Sequence, residues 1–270
     1  MMKNKHKYFA GISISICLSI LSVLAVYAVT LEPWFWASSV DNVSQSGDIR
    51  PFVALATEQD DVVAVWSGGT DAPGIYAARN TGSGWNRTTI TATGNKATRF
   101  PALVLNGGIP LIAWSQSDSA YPSDSAEQQL LQQDDMNDPE VIADSLYGRI
   151  VPDMDKSDTG VHLVYPAATT ASGWSKQNLY YTHRYLTETT WSTPTEVMTH
   201  GQVTPDADLG KIWYPKIAVS SDGLTLHVVW QQHEKYAGQA ETKMIWYLTG
   251  EWKPTGVEWG TPIQISLQEQ

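Results

Sequence analysis

The chain of 270 residues carries 28 acidic and 17 basic residues, and 42% of its residues are hydrophobic. A chain of this length and composition can bury a substantial core, which excludes a disordered protein. The net charge of −11 makes nucleic acids and anionic lipid surfaces poor candidate partners. Twelve Trp and twelve Tyr against four Phe, with 20 Gly and 14 Pro, favour many short strands joined by tight turns.

The N-terminus predicts an export signal. Three lysines within the first seven residues precede residues 8–31, which contain no charged side chain. Because a membrane-spanning helix needs about 20 apolar residues, residues 1–30 read either as a cleaved signal peptide or as a retained signal anchor. Both alternatives place the rest of the chain outside the cytoplasm, secreted or membrane-anchored. The single cysteine, Cys17, lies in this segment, so the exported part has no disulfide.

Strand, turn and strand patterns recur four times along the rest of the chain. Each begins at or near a proline, and these prolines are spaced by 50, 51 and 63 residues: Pro51, Pro101, Pro152 and Pro215. Each second strand ends on a large aromatic residue: Trp66, Trp114, Tyr165 or Trp230. A second strand pair follows in each unit, and a period near 50 residues is typical of radial β arrays.

The sequence therefore predicts an all-β fold. The fold is a β-propeller of about four four-stranded antiparallel blades, open or incomplete, preceded by an N-terminal hydrophobic helix. The predicted blades lie within residues 47–270 and cover residues 47–95, 98–145, 148–200 and 211–268. Residues 31–46 are predicted as a juxtamembrane segment with an orphan outer strand. Since an exposed sheet edge invites pairing, a partner chain that covers this edge is one expectation.

Two segments carry a family resemblance. They are "HVVW" (227–230), which ends a strand pair, and "LYYTHRYLTETTWSTP" (179–194). These residues resemble the sialidase-like β-propellers with Asp-box (BNR) repeats, over residues 47–268. The Asp-box of that family, S-x-D-x-G-x-T-W, is degenerate here: "NTGSGW" (80–85) and "TETTW" (187–191) keep the tryptophan and lack the aspartate. In that family the box braces a turn on the outer face of the propeller, so it bears on fold and not on chemistry.

The resemblance implies a ligand-binding cluster of three arginines that holds a substrate carboxylate. Arg99 stands in the R-x-P spacing of "TRFP", and Arg50 and Arg149 precede their prolines by one and three residues. Tyr214 occupies this region in the fourth unit. We predict a ligand-binding site at Arg50, Arg99, Arg149 and Tyr214, because a planar guanidinium binds a carboxylate through two parallel donors. The alternative is that a long polar residue merely begins each inner strand.

Catalysis in that family requires a tyrosine nucleophile activated by a glutamate, and an aspartic acid as proton donor. No local motif in this sequence singles out such a set, so the catalytic residues stay unassigned and the sequence favours a chain that is not an enzyme. Glu234 and Tyr236 come closest, because they follow the second strand of the fourth unit. A segment of this kind is more often a charged, solvated loop than part of an active site.

The segment "DMDKSDTG" (153–160) resembles the opening of a calcium loop. An EF-hand needs glycine and an acid at the positions that Asp158 and Val164 occupy here, and the repeat assigns the segment to an inner strand. The sequence therefore predicts no cofactor and no metal, with calcium as a minor alternative.

Three functions stay open at this point. The first is an exported, non-catalytic binding or interaction module for glycans or proteins, which the regular repeats favour. The second is a sialidase-type glycoside hydrolase or a fragment of one, which the resemblance implies. The third is a structural module completed by a partner chain, which the orphan outer strand favours. Fold alone does not choose among them, because propellers host many activities.

Overall fold

The computed structural model describes residues 49–68, 74–82, 84–92, 96–118, 124–134, 138–203, 209–253 and 255–266. The predicted export signal (1–30) and the predicted orphan outer strand (within 31–46) lie outside the described residues. Within the described ranges, no helix has the length and apolar character needed to cross a membrane.

The described residues form four antiparallel sheets, one for each blade. Blade 1 contains β1 (Ile49–Glu58), β2 (Asp61–Gly68), β3 (Gly74–Asn80) and β4 (Trp85–Ala92). Blade 2 contains β5 (Ala97–Asn106), β6 (Ile109–Ser117), β7 (Gln128–Asp134) and β8 (Glu140–Leu146). Blade 3 contains β9 (Asp153–Lys156), β10 (Gly160–Ala167), β11 (Asn178–Tyr185) and β12 (Thr195–Met198). Blade 4 contains β13 (Leu209–Val219), β14 (Thr225–Lys235), β15 (Thr242–Lys253), β16 (Gly256–Trp259) and β17 (Ile263–Gln264).

Strands pair in chain order within every blade, and in blade 4 both β16 and β17 pair with β15. A 3₁₀ turn (Ala171–Gly173) and a short helix α1 (His200–Val203) occupy connections that follow β10 and β12. The first strands of neighbouring blades contact one another: β1 with β5, β5 with β9, and β9 with β13. These strands therefore surround a common axis, and the predicted fold, an open β-propeller of four four-stranded blades, is confirmed.

The first strands of blades 3 and 4 do not begin at Arg149 and Tyr214, the positions that the repeat suggests. In blade 3 the strand begins at Asp153, after Arg149 and Pro152, because the proline lacks an N–H group for the ladder. In blade 4 the strand begins at Leu209, well before Tyr214, because the ladder between β13 and β14 continues to the pair Leu209 and Lys235.

Apolar side chains fill the spaces between neighbouring blades in three clusters. One lies between blades 1 and 2 around Trp114, one between blades 2 and 3 around Tyr165, and one between blades 3 and 4 around Trp230. The predicted burial of the four repeat aromatics is confirmed, although Trp66 belongs to none of these clusters. Among the described residues, no such cluster joins blade 4 to blade 1, so the ring is open between them.

The inner strands of blades 3 and 4 are also joined by side chains. A carboxylate oxygen of Asp153 accepts a hydrogen bond from the N–H of Ile217 at 2.9 Å, and one of Asp155 accepts from the N–H of Val219 at 2.7 Å. Lys216 pairs with the second oxygen of Asp153 at 2.6 Å. The segment that resembles a calcium loop thus supplies acceptors for N–H groups on the free edge of β13, which have no strand partner.

Candidate functional site

Irregular ladders place aromatic side chains at the propeller axis. The registers of β1, β5 and β13 shift beside their prolines. In blades 2 and 4 the residues that precede these prolines, Phe100 and Tyr214, have φ angles of 52° and 48°. Such positive values are uncommon for bulky side chains, and a β-bulge redirects the side chain it carries. The bulges therefore turn Phe100 and Tyr214 out of the regular alternation of their strands.

Aromatic rings from three blades meet near this end of the axis. The rings of Phe52 and Phe100 are 4.3 Å apart, edge to face, and those of Phe52 and Tyr214 are 6.5 Å apart. Trp213 lies 5.8 Å from Tyr214. Tyr214 is 40% exposed. We call these four residues together with Arg149 the axial cluster; its partial exposure leaves aromatic surface open to a ligand.

Arg149 reaches the axial cluster from the connection between β8 and β9. Gly148, with φ of 94°, precedes it, and a Cβ atom there would lie 2.6 Å from Nε2 of Gln177. The same amide nitrogen donates to the carbonyl of Arg149 at 3.2 Å. Gly148 and Gln177 thus fix the backbone from which the arginine side chain extends.

Aromatic rings, and not carboxylates, hold the guanidinium of Arg149. Its Cζ atom lies 4.5 Å from the ring centroid of Trp213 and 5.9 Å from that of Phe100. Among the described residues, no acidic side chain is within ion-pair distance of it. Because no acid of the described residues takes the donors of this guanidinium, they can bind an anionic group from outside.

His233 of β14 supports Trp213. The two rings stack with centroids 3.9 Å apart. Nδ1 of His233 lies 2.5 Å from a carboxylate oxygen of Glu241, and Nε2 lies 3.1 Å from Oε1 of Gln231. Burial lowers the pKa of His233, and the hydrogen bond to the carboxylate of Glu241 acts in the opposite direction. These contacts on both ring nitrogens hold the imidazole against the tryptophan ring.

A second acid, Glu234, lies at the end of β14. It is only 2% exposed, so the expectation of a solvated loop is wrong for this residue. The ladder between β14 and β15 continues as far as the pair Glu234 and Thr242, which carries the acid into the sheet. Tyr236 donates from its hydroxyl to Glu234 at 3.3 Å. Burial raises the pKa of Glu234, so it holds its proton to higher pH than an exposed glutamate.

The predicted ligand-binding residues are distributed as follows. Arg149 and Tyr214 both contact Trp213, so the structure brings these two together. Arg99 is half-buried on β5, next to Phe100 of the axial cluster. Arg50 belongs to β1, and its side chain lies outside the described residues. A clamp in which three arginines share one carboxylate stays a prediction.

Sequence reasoning missed most of the aromatic part of the site. Phe52, Phe100 and Tyr214 each stand next to a repeat proline, and this shared position was a usable signal. The roles of Trp213 and His233 had no such signal, because their stacking depends on the register between β13 and β14.

Metal ligands are not grouped anywhere in the described part of the chain: no three His, Cys, Asp or Glu side chains lie close enough together to hold an ion. Ser157, which belongs to the segment that resembles a calcium loop, is buried. Its hydroxyl lies 3.2 Å from Nε2 of His162.

A polar pocket of 460 Å³ opens in blade 2, at the same end of the propeller as the axial cluster. It lies beside the start of β5, the end of β6 and the start of β7, where Lys96 and Asp118 form an ion pair at 2.9 Å. Gln116 and Gln128 supply amide groups to its wall.

Comparison with known proteins bears on the fold. No protein-family model and no curated protein matches the chain. An α-L-arabinofuranosidase from Fusarium graminearum is similar with a TM-score of 0.53 and 14% identity, over 81% of this chain and 66% of its own. A thermostable family-43 glycoside hydrolase gives a TM-score of 0.52, 11% identity and coverages of 79% and 75%. A Trypanosoma rangeli sialidase gives 0.52, 10% identity and coverages of 80% and 37%.

These likenesses confirm the fold that the sequence resemblance implied. The chain has the sialidase-like β-propeller fold, which the arabinofuranosidase, the family-43 hydrolase and the sialidase share. It spans just under two thirds of the arabinofuranosidase and little more than a third of the sialidase. At identities of 10% to 14% the likeness concerns the backbone, so activity must be argued from the residues of this chain.

Proposed function

We propose that this chain is an exported, non-catalytic β-propeller that binds glycans at the axial cluster. The observation that carries the proposal is the guanidinium of Arg149, held by aromatic rings at the axis without an acidic partner among the described residues. Sugar rings pack their C–H faces on aromatic side chains, and a carboxylate matches the arginine fork. The glycoside hydrolases that share the fold add support for a sugar ligand.

The acids near the cluster support binding without turnover. Glu241 is engaged with His233, and Glu234 is buried beneath Tyr236. Glycoside hydrolysis needs an acid that delivers a proton to the leaving group and a nucleophile or base on the opposite side of the sugar. The axial cluster itself consists of four aromatic side chains and one cation, which suits recognition.

Calorimetric titration of the full chain tests the proposal. We expect a sialylated trisaccharide to bind more tightly than its neutral counterpart, with an affinity that falls as salt increases. Trp213→Ala should abolish binding, and Arg149→Lys should weaken it by about tenfold because the bidentate geometry is lost. Arg87→Lys, an exposed cation on blade 1, is the matched control and should leave binding unchanged. Equal affinity for the acidic and neutral sugars would contradict a role for Arg149.

The predicted three-arginine clamp has its own test. Arg99→Lys should weaken binding of the acidic sugar as Arg149→Lys does, if both guanidinium groups meet one carboxylate. An effect confined to Arg149 would end the clamp and leave the axial cluster as the site.

A sialidase-type glycoside hydrolase is the second candidate function, favoured by the hydroxyl of Tyr236 that donates to buried Glu234. A tyrosine beside a carboxylate is the pairing that a tyrosine nucleophile requires. Hydrolysis of a fluorogenic sialoside or arabinofuranoside above a heat-killed control, and its loss in Tyr236→Phe, would establish this function in place of pure binding.

Export rests on the N-terminal segment, whose lysines precede residues 8–31 without charge. A reporter fused after Gln270 should be active only if it works in an exported compartment, whether the segment is cleaved or stays in the membrane. Activity of a cytoplasmic reporter at the same position would contradict the proposal.

A further inference from the structure

The connection that carries Arg149 has no regular structure. Residues 147–152 lie between the end of β8 and the start of β9. Gly148 and Ile150, on either side of Arg149, are buried. Because buried backbone N–H and C=O groups that no strand pairs must find other hydrogen-bond partners, the partners of this connection show what fixes the arginine.

Blade 2 provides the partners of Gly148. The N–H group of Gly148 donates to the carbonyl of Asp124 at 2.6 Å, in the connection between β6 and β7. The carbonyl of Gly148 accepts from the side-chain amide of Gln128 at 2.5 Å. Gln128 is the first residue of β7 and is 5% exposed, so this bond is shielded from water. Both backbone polar groups of the residue before Arg149 are therefore bonded to one blade.

Blade 3 provides the partner of Arg149 itself. Nε2 of Gln177 donates to the carbonyl of Arg149 at 3.2 Å, and Gln177 is fully buried. The N–H group of Gln177 donates at 3.1 Å to the carbonyl of Gly210, which belongs to β13. Trp213, whose ring holds the guanidinium, lies on the same strand. The backbone of Arg149 and the ring that contacts its side chain are thus connected through one buried glutamine.

These contacts use the backbone of the connection and leave the guanidinium of Arg149 without an acidic partner among the described residues. Arg184 shows the opposite arrangement, because its Nη1 donates to a carboxylate oxygen of Asp134 at 3.0 Å. A carboxylate partner occupies donors that a ligand would need, whereas two neutral amides fix the position and keep the charge available. Glutamine suits this role because its NH₂ group donates a hydrogen bond without adding a charge beside the arginine.

We propose that Gln128 and Gln177 are positioning residues of the axial cluster, because they fix the backbone of Arg149 and so direct its guanidinium toward an acidic ligand. The inference rests on the proposed function, since it concerns the same site. A donor that is in place before the ligand arrives loses little conformational freedom on binding, which raises the affinity. A neutral sugar that packs on the aromatic rings gains nothing from this, so the two glutamines control the preference for acidic over neutral ligands.

Calorimetric titration of the full chain with a sialylated trisaccharide and its neutral counterpart tests the inference. Gln128→Met keeps the length of the side chain and removes the donor. It should lower the affinity for the acidic sugar by about five- to tenfold, as expected for one lost hydrogen bond, and leave the affinity for the neutral sugar unchanged. Gln132→Met is the matched control: Gln132 also lies on β7 and is 2% exposed, but it donates to Glu140 at 2.8 Å. This control should keep the acidic-to-neutral affinity ratio of the wild type.

Gln177→Met is the second variant, and it should reduce the same ratio from blade 3. Melting curves establish that each variant is folded at the temperature of the titrations. In an Arg149→Ala background, where the preference for the acidic sugar is already lost, neither glutamine substitution should reduce the ratio further, because both act through this guanidinium.

The outcomes separate the inference from the proposed function. An unchanged ratio in the folded glutamine variants, an equal loss of affinity for both sugars, or a further loss in the Arg149→Ala background would overturn the inference alone. Equal affinity of the wild type for the two sugars, or no binding of either, would overturn the proposed function and the inference with it.

Discussion

Blades 1 and 2 have the same strand order and the same repeat, but they bury their side chains differently. In blade 2 both faces of the sheet are covered, and Leu103 is 7% exposed. In blade 1 the face toward blade 2 is covered, whereas Leu55 on the other face is 63% exposed. The difference shows that the neighbouring sheet, and not the repeat motif, decides how much a residue stabilises the fold.

The largest expected effect is at the centre of the covered interface. Trp114 is fully buried between blades 1 and 2. Trp114→Ala should cost about 3–5 kcal/mol, because it removes a large apolar surface and leaves a cavity. Thermal and chemical denaturation measure this loss, with Ile109→Ala as an exposed control. A melting curve close to that of the wild type would contradict the alignment of the repeats.

Leu103 of blade 2 and Leu55 of blade 1, which occupy equivalent positions in the repeat, test this comparison directly. Leu103→Ala should cost about 2–4 kcal/mol, since the side chain is buried. Leu55→Ala should change the free energy of unfolding by less than about 0.5 kcal/mol, since the side chain faces solvent in the isolated chain. Denaturant titrations of both variants decide the matter. Equal losses would mean that the side chain of Leu55 is already covered.

Two histidines extend the comparison of buried and exposed positions to the effect of pH on stability. His162 of β10 and His227 of β14 occupy the same repeat position, but His162 is buried between blades 3 and 4 and His227 is exposed. Burial lowers the pKa of His162 to about 4, with a smaller effect of His183 in the same direction. Between about pH 6.5 and pH 4, His162 therefore binds a proton in the unfolded chain but not in the folded state.

Stability should accordingly fall as the pH drops from about 6.5 to about 4, by up to about 3 kcal/mol from this residue. His162→Gln should flatten that part of the pH profile, whatever its effect on absolute stability. His227→Gln is the control and should keep the slope of the wild type. A His162→Gln profile as steep as the wild-type one would show that another group is responsible.

A smaller loss of stability than those expected for Trp114→Ala and Leu103→Ala concerns a turn within blade 1. The side chain of Asn80 accepts hydrogen bonds from the N–H groups of Gly82 at 2.8 Å and Gly84 at 3.4 Å. Asn80→Ala should cost about 1 kcal/mol, and Asn80→Asp should restore the acceptor and the stability. Urea titrations resolve such differences. A loss as large as that of Leu103→Ala would mean that this turn also supports an interface.

The sequence predicted those features of the fold that depend only on the local pattern within each repeat. The spacing of the prolines and the closing aromatics Trp114, Tyr165 and Trp230 predicted the blades and the burial between them, because alternation along a strand fixes which side chains face a neighbour. The turn "NTGSGW" (80–85) is another local feature: its first residue, Asn80, accepts hydrogen bonds from the N–H groups of Gly82 and Gly84.

The axial cluster was much less predictable. Its formation depends on positive φ angles at Phe100 and Tyr214 and on contacts among three blades and the connection that carries Arg149, which no local pattern encodes. Glu234 was misjudged for the same reason, because the length of the ladder with β15 decides whether it is solvated. The site therefore depends on the pairing register between strands, which the local sequence does not show. The fold, in contrast, could be predicted from the alternation of residues within each strand.

The carboxylates of Asp153 and Asp155 have a consequence for hydrogen exchange. Ile217 and Val219 lie on an inner strand, where amide protons facing the axis would ordinarily exchange quickly with deuterium. Because the two aspartates accept from those amides, their protons should instead exchange only when blades 3 and 4 separate. Exchange of these two amides therefore reports how often blades 3 and 4 separate.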